Sequence, residues 1–500
     1  MSPFSSSITL DENRSLLPPL AERAPIYTYY DHTLKRDKEL KAAESELLVT
    51  WRKAWWAQGF RPVILGPGEA VSNPLYKEFQ MLQLEPELKL ELQRWLAWEK
   101  MGTGILCQYT LLPMGAHEDS LLAYLRRGEY PSLSRFDKLG SGLFTGPKSD
   151  ITVAVKQALR SKDLKDAKDM ISAVKPDTFQ IDLKHASLAY YDPVTVKSKY
   201  SSIASRVVDK DLKFTGAVGL QILNQLMVAH LHVTWQNIFT KGISVIRPAE
   251  EHMTTLVESA SYISKLLVQC PESPLPDSCP PNWPLCRTCV NSSKLKITTT
   301  DTYRNTSTLY TIGTVPHPYT LAVLSSFNDD IDVRWIRRES KRDEWVYKLT
   351  KEILGTAVSD IPRVVKFKDA VASPYGTAHS LWLTAEEELP ADIDWYFGFS
   401  LPQNITTKYP IEDGEDELEF EKELLEKAKV VAASKKGQQH RLLHSLEAWN
   451  LADTEAWRFA RAYMARRTME RLRWEEEEEK FTGGAGAERK KKSSGRWFDD

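Results

Sequence analysis

Apolar positions recur along the chain with two periods, and the alternation between them lays out the first hundred residues. Ile26 to Tyr30 (IYTYY) is a β-branched and aromatic run, which predicts a strand. From about Arg36 to Gln58 the period lengthens. Leu47, Trp51 and Trp55 fall at four-residue spacing on one helix face, and Gly59 supplies the stop. Arg61 to Leu65 (RPVIL) reads as a second strand closed by Gly-Pro-Gly at 66–68. A helix opening on Pro86 then turns Leu88, Leu92, Trp95 and Leu96 inward before Gly102. Gly104 to Leu112 (GILCQYTLL) predicts a third strand. Strands alternating with helices at this spacing imply crossovers and a mainly parallel sheet, so the fold class is α/β over residues 25–115.

The pattern changes after residue 115. Residues 116–268 read as a mixed helical region, with charge-rich helices around Ile151–Lys162 and Asp163–Val174, an apolar helix over 216–240, a strand at Ile243–Ile246 and a helix of about Pro248–Val268. Phe214 to Thr240 carries no Asp, Glu, Lys or Arg and exceeds the roughly 20 residues that span a bilayer. Gln221, Asn224, Gln225, His230, His232, Gln236 and Asn237 would each need a partner inside hydrocarbon, which makes it a buried core helix and predicts no transmembrane span. A second α/β stretch occupies 300–405, with strands at Leu309–Gly313, Ile331–Arg337 and Arg363–Phe367. From Glu412 the composition turns to Glu, Lys, Leu, Ala and Arg and predicts a charged helical extension to 480. Trp457, Ala460, Met464, Thr468 and Leu472 there share a face that would pack on the body or on a protein partner. Residues 1–24 and the Gly-rich tail 481–500 read as disordered.

Five hundred residues exceed one core and imply two to four domains. A net charge of −2 supplies no whole-molecule field for nucleic acid, so nucleic acid is not an expected partner. The first twenty residues lack an apolar core and carry Asp11, Glu12 and Arg14, unlike a signal peptide or a mitochondrial presequence, so a cytoplasmic or nuclear address is expected.

Four of the five cysteines gather in CPESPLPDSCPPNWPLCRTC as Cys270, Cys279, Cys286 and Cys289, within a loop (269–295) threaded with six prolines before Cys286. Cys286-x-x-Cys289 is a spacing at which two thiolates grip one metal, and Cys270 and Cys279 could complete a four-thiolate shell for zinc or an iron–sulfur cluster. Two disulfides, or unbonded structural cysteines, are the other accounts of the same spacing. CPPNWPLCRTC resembles the cysteine loop of helix-hairpin-helix DNA glycosylases. Their fourth, downstream cysteine has no counterpart, so the resemblance implies a cluster-type loop and not base excision. Lying between two α/β stretches, the loop is expected to brace a crossover.

The run ELQRWLAWEKMGTGILCQYTLLPM, Glu91 to Met114, resembles the segment of GT-A-type nucleotide-sugar glycosyltransferases that reads acid-x-x-Arg, helix, glycines, strand, Asp-x-Asp, Pro. Glu91 and Arg94 match the acid and the arginine, and Gly102, Gly104 and Pro113 match the frame. The resemblance implies a GT-A-like region in which Glu91 and Arg94 orient a nucleotide sugar. The family's two metal-binding carboxylates fall at Gln108 and Thr110, which offer the diphosphate hydrogen bonds and lack the charge that a divalent cation requires. A bland α/β core, with Arg94 paired to a neighbouring carboxylate, fits the same residues. A non-catalytic scaffold that binds proteins through its terminal helices is the reading from another class.

A second, smaller anion site is expected in TIGTVPHPYT, where Gly313 and His317 end a strand and open a helix, with Arg337 from the following basic patch. An ordinary capped helix and a solvated salt-bridge surface explain these residues equally simply. Neither G-x-S-x-G, Walker A nor G-x-G-x-x-G occurs in its required context, and no catalytic residue is assigned.

Overall fold

The computed structural model describes residues 17–246, 258–283, 286–289, 295–300, 303–315, 361–384, 388–402 and 451–483, with isolated residues between 423 and 441. The fold is mixed α/β. Strands β1 (Pro25–Tyr29), β2 (Arg61–Leu65), β3 (Gly104–Cys107), β5 (Ser134–Phe136), β6 (Leu143–Gly146) and β7 (Gln180–Asp182) form one sheet in the order β2-β1-β3-β6-β5-β7. The β1, β2 and β3 strands are mutually parallel, β6 runs antiparallel between β3 and β5, and β7 is parallel to β5.

Both faces of the sheet are buried at β1, β2, β3 and β6, which is why β1, β2 and β3 read as continuous apolar runs, while the edge strand β7 is largely exposed. Ile26, Ile64 and Ile105 face one layer with Leu47, Trp51 and Trp55 of the helix Lys38–Ala57. Tyr27, Val63, Leu65 and Leu106 face the other, with Trp95 and Trp98 of the helix Pro86–Met101. Asp37 caps the first helix by accepting from Leu40 N at 2.7 Å. Leu47, Trp51 and Trp55 are fully buried, and each contributes about 1.5–3 kcal/mol by leaving water. Gly102, at φ 100° and ψ −144°, takes a positive-φ conformation open to glycine that ends the helix Pro86–Met101 where the chain turns into β3.

The stretch predicted as one strand, Gly104 to Leu112, is two. β3 stops at Cys107, Leu111 N donates to Gln108 O at 3.0 Å, and β4 (Leu111–Pro113) pairs with β8 (Leu188–Tyr190) in a separate two-stranded sheet. Both halves are buried, so the apolar run hides the turn between them.

The second sheet is all parallel, in the order β10-β9-β11-β12, from β9 (Gly242–Ile246), β10 (Ile297–Thr300), β11 (Leu309–Val315) and β12 (Ser380–Thr384). β9 precedes the cysteine loop in the chain, so the loop lies inside the crossover from β9 to β10. Arg363–Phe367, expected as a strand, belongs to a helix, Ile361–Ala372. Phe367, Ala370 and Val371 are buried at helical spacing there, a period that the five β-prone residues alone do not reveal. The expected strand Ile331–Arg337 and most of the extension before residue 451 lie outside the described residues.

The apolar helix, Ala217–Ile238, is a core helix, as its polar positions demanded. Asn224 accepts from Thr50 at 2.7 Å, Gln236 donates to Leu267 O and Gln269 O at 2.8 Å, and Asn237 donates to Val233 O at 2.7 Å. Among the described residues no helix is long and apolar enough to cross a membrane. The C-terminal helix, Leu451–Glu478, lies against the body: Trp474 stacks on Trp56 at 4.7 Å and donates to Pro62 O, and Arg52 pairs with Glu478. Beyond it Thr482, expected in a disordered tail, donates its Oγ1 to Glu69 at 2.6 Å.

Candidate functional site

β1 sits between β2 and β3, so the chain crosses from one side of β1 to the other, and the crevice outside the carboxyl ends of β1 and β3 is a topological switch point. Gln108 and Thr110 form the turn that leaves β3 at this edge. Gln108 N donates to Gly142 O at 2.9 Å, and Thr110 O accepts from Tyr191 N at 3.0 Å, which ties the turn to the loop before β6 and to the end of β8. From the β1 side come Asp31, whose carboxylate caps Thr33, and Tyr30, which donates to Glu44 at 2.7 Å. Arg36 donates to that carboxylate at 2.9 Å and to Asp31 O at 2.6 Å.

Arg94 lies beneath this turn. Its side chain is 4% exposed, and Nη1 reaches the Glu91 carboxylate at 3.3 Å and Ser141 O at 3.2 Å. Nε and Nη2 are buried and have no hydrogen-bond partner among the described residues. Glu91 also accepts from Trp95 Nε1 at 3.2 Å. The two residues therefore meet, as their i,i+3 spacing implies, and what they hold is the loop carrying Lys138 and Ser141. Burial, reinforced by the negative charge of Asp192, pushes the neighbouring Tyr190 phenol well above its usual range, which keeps it neutral.

The same edge continues past β5 and β7 into a cleft of about 750 Å³, lined by Lys138, His185, Lys199, Tyr200 and Asp277 together with the segment Ser278–Trp283. The last of these is the cysteine loop, which therefore roofs the cleft. Asn282 donates to Leu188 O in β8 at 2.8 Å, and Tyr200 donates to Cys279 O at 2.8 Å. Beneath the roof runs a buried chain from Tyr191 to His230 to Ser278. Tyr191 Oη lies 2.7 Å from His230 Nδ1, His230 Nε2 lies 2.9 Å from Ser278 Oγ, and Ser278 donates to Leu275 O at 2.6 Å. Because the serine hydroxyl is spent on Leu275, His230 donates through Nε2 and accepts through Nδ1. Burial pushes the pKa of His230 down to about 3, so the imidazole is neutral.

The metal expectation for the four cysteines is overturned. Cys270 bonds to Cys289 and Cys279 to Cys286, with Cα atoms 5.6 and 6.0 Å apart, and among the described residues no group of three or more His, Cys, Asp or Glu side chains could hold a metal ion. Neither zinc nor an iron–sulfur cluster has a place there. The physical reason is that Cys286 and Cys289, three residues apart, face different ways: Cys289 is buried against the helix Ala217–Ile238, beside Gln236, while Cys286 stays half-buried in the roof. A nested pair of disulfides results, and the prolines fold the intervening chain back on itself.

The expected anion site is divided. Gly313 is a buried β11 residue opposite Trp382, and a Cβ there would come within 2.4 Å of the indole, so packing accounts for this glycine. His317 and Arg337 lie outside the described residues. Lys138, His185 and Lys199 carry no local signature in the sequence, being an exposed turn lysine, a lone histidine and an exposed lysine at the end of the helix Pro193–Lys199. Only the strand order brings them to one edge.

The chain belongs to the family described as Domain of unknown function (DUF8765), whose family model matches residues 1–500. No curated protein and no solved structure matches it.

Proposed function

We propose that this member of the DUF8765 family binds a nucleotide sugar at the carboxyl edge of its first sheet, in a GT-A-like arrangement that dispenses with a divalent cation. The observation that carries the reading is the placement of Gln108 and Thr110. They leave β3 at the switch point, where open α/β sheets take their ligands, and the cleft at the ends of β5 and β7, farther along the same edge, presents Lys138 and Lys199. A diphosphate needs positive charge, and the two lysines supply it where the resembled family would use a metal on two carboxylates. Tyr200 and Trp283 offer apolar faces in the same cleft. Arg94, being buried, is a positioning residue that holds the Ser141 carbonyl and with it the Lys138 loop.

The test is a titration of the purified chain with UDP- and GDP-sugars in EDTA and then in Mn²⁺. Binding in EDTA that Mn²⁺ does not strengthen, and that Lys199→Met weakens about tenfold by loss of a charged contact, supports the reading; no binding by any of these sugars sinks it. The scaffold reading must use the outer face of the C-terminal helix, because Trp457, Phe459, Met464 and Trp474 are buried within the chain itself.

A further inference from the structure

A second cavity, of about 470 Å³, opens at the opposite, amino edge of the first sheet. Pro18–Arg23, which leads into β1, forms one wall, and the end of the helix Lys38–Ala57 and the C-terminal helix form others. Four guanidinium groups face it: Arg23, Arg126, Arg466 and Arg467.

Among the described residues, one of the four makes an ion pair. Arg23 is paired with Glu470 at 2.7 Å and also donates to Trp56 O at 2.9 Å. Arg126 donates to Gln58 O and His117 O, and Arg466 to Pro18 O; all three acceptors are neutral carbonyls. Arg467 lies over the rings of Tyr396 and Tyr463, at 4.1 and 5.9 Å, makes no hydrogen bond or ion pair among the described residues, and feels the Glu470 carboxylate from beyond contact distance. The remaining carboxylates in the lining, Glu22 and Asp369, are both exposed, and burial together with the Arg126 charge keeps His117 neutral, its pKa pushed down to about 4. Three guanidinium groups with no carboxylate in hydrogen-bond contact are gathered on one concavity, and Glu118, Asp119 and Glu470 act on them only from longer range. Withdrawing such charges from water is costly unless an anion joins them.

We infer that this cavity is a binding site for a phosphate-class oxyanion, held by Arg126, Arg466 and Arg467 as fork-shaped donors. Arginine suits this ligand because its planar donors match phosphate oxygens two at a time. Tyr396 and Tyr463 flank the site, so a phosphoryl group attached to a flat ring would fit as well as the free ion. This site is separate from the proposed nucleotide-sugar cleft, and either could fail without the other.

The experiment titrates the full chain with inorganic phosphate and with phenyl phosphate, by calorimetry and thermal denaturation, at an ionic strength matched with potassium chloride. Wild type should bind phosphate and gain thermal stability that chloride does not give. Tighter binding of phenyl phosphate would assign the site to a ring-bearing ligand, and equal binding to the free ion. Arg467→Met should weaken binding at least tenfold, while Arg160→Met, an exposed arginine elsewhere, should leave it unchanged. If Arg467→Met does not fold by circular dichroism, Arg466→Met serves in its place. An absence of phosphate-specific binding in wild type, or binding unaffected in the folded arginine variant, overturns the inference.

Discussion

Acid should unfold this chain through the histidine under the cysteine loop, and the size of the effect follows from the structure. His230 is 1% exposed, enclosed by the rings of Tyr191 and Tyr200 and by Ser278, and burial pushes its pKa from 6.5 down to about 3. A histidine depressed in this way binds fewer protons folded than unfolded between those two values. Stability is therefore complete above pH 6.5 and falls as the pH drops below it. At pH 5.5 the loss is about 1.4 kcal/mol for this one residue, by the linkage relation. His232, fully buried with its pKa pushed down to about 4, adds a similar amount. Urea denaturation followed by tryptophan fluorescence at pH 7.5, 6.5 and 5.5 measures this loss in wild type and in His230→Gln. The variant has its own packing cost, but that cost is the same at every pH and cancels. Its loss of stability between pH 7.5 and 5.5 should be smaller than that of wild type by about 1.4 kcal/mol. An identical pH dependence in the two proteins would refute the assignment of His230 as a neutral core group.

Four further outcomes are expected. Alkylation without reduction should leave Cys270, Cys279, Cys286 and Cys289 untouched even in denaturant, while Cys107, buried with its thiol pushed up to about 12, reacts only once the chain unfolds. Replacing Cys279 and Cys286 together by serine should cost about 2.5 kcal/mol from the loop entropy of a seven-residue separation, read as a lower urea midpoint, and should loosen the cleft roof before the core. Lys368, 1% exposed and 2.7 Å from Glu455, should tolerate removal poorly: Lys368→Met strands a buried carboxylate at a cost of about 3–5 kcal/mol, and adding Glu455→Leu should recover most of the loss in thermal denaturation. Glu69→Ala should free Thr482 from its three contacts with that carboxylate and make the chain near it a site of limited proteolysis.

The chain order alone determined the α/β class, the buried helices with Leu47, Trp51 and Trp55 or Leu92, Trp95 and Leu96 inward, and the core nature of the apolar helix, because each depends on periodicity within one element. It also placed Glu91 beside Arg94, since three residues along a helix are neighbours in any fold. What it left undecided needed contacts between distant segments. The break at Gln108 exists because β4 finds β8 seventy-five or so residues on, and no local pattern encodes that pairing. The spacing of the four cysteines pointed first to a metal, with two disulfides as the competing account; only the packing of Cys289 against a helix fifty residues earlier separates it from Cys286 and selects the disulfides. The cysteine loop, expected to brace a crossover, also roofs the cleft that Lys138 and Lys199 line, because Asn282 ties it to β8. Side-chain period is a property of an element, whereas a site is a property of which elements share an edge, and that is decided by the tertiary structure.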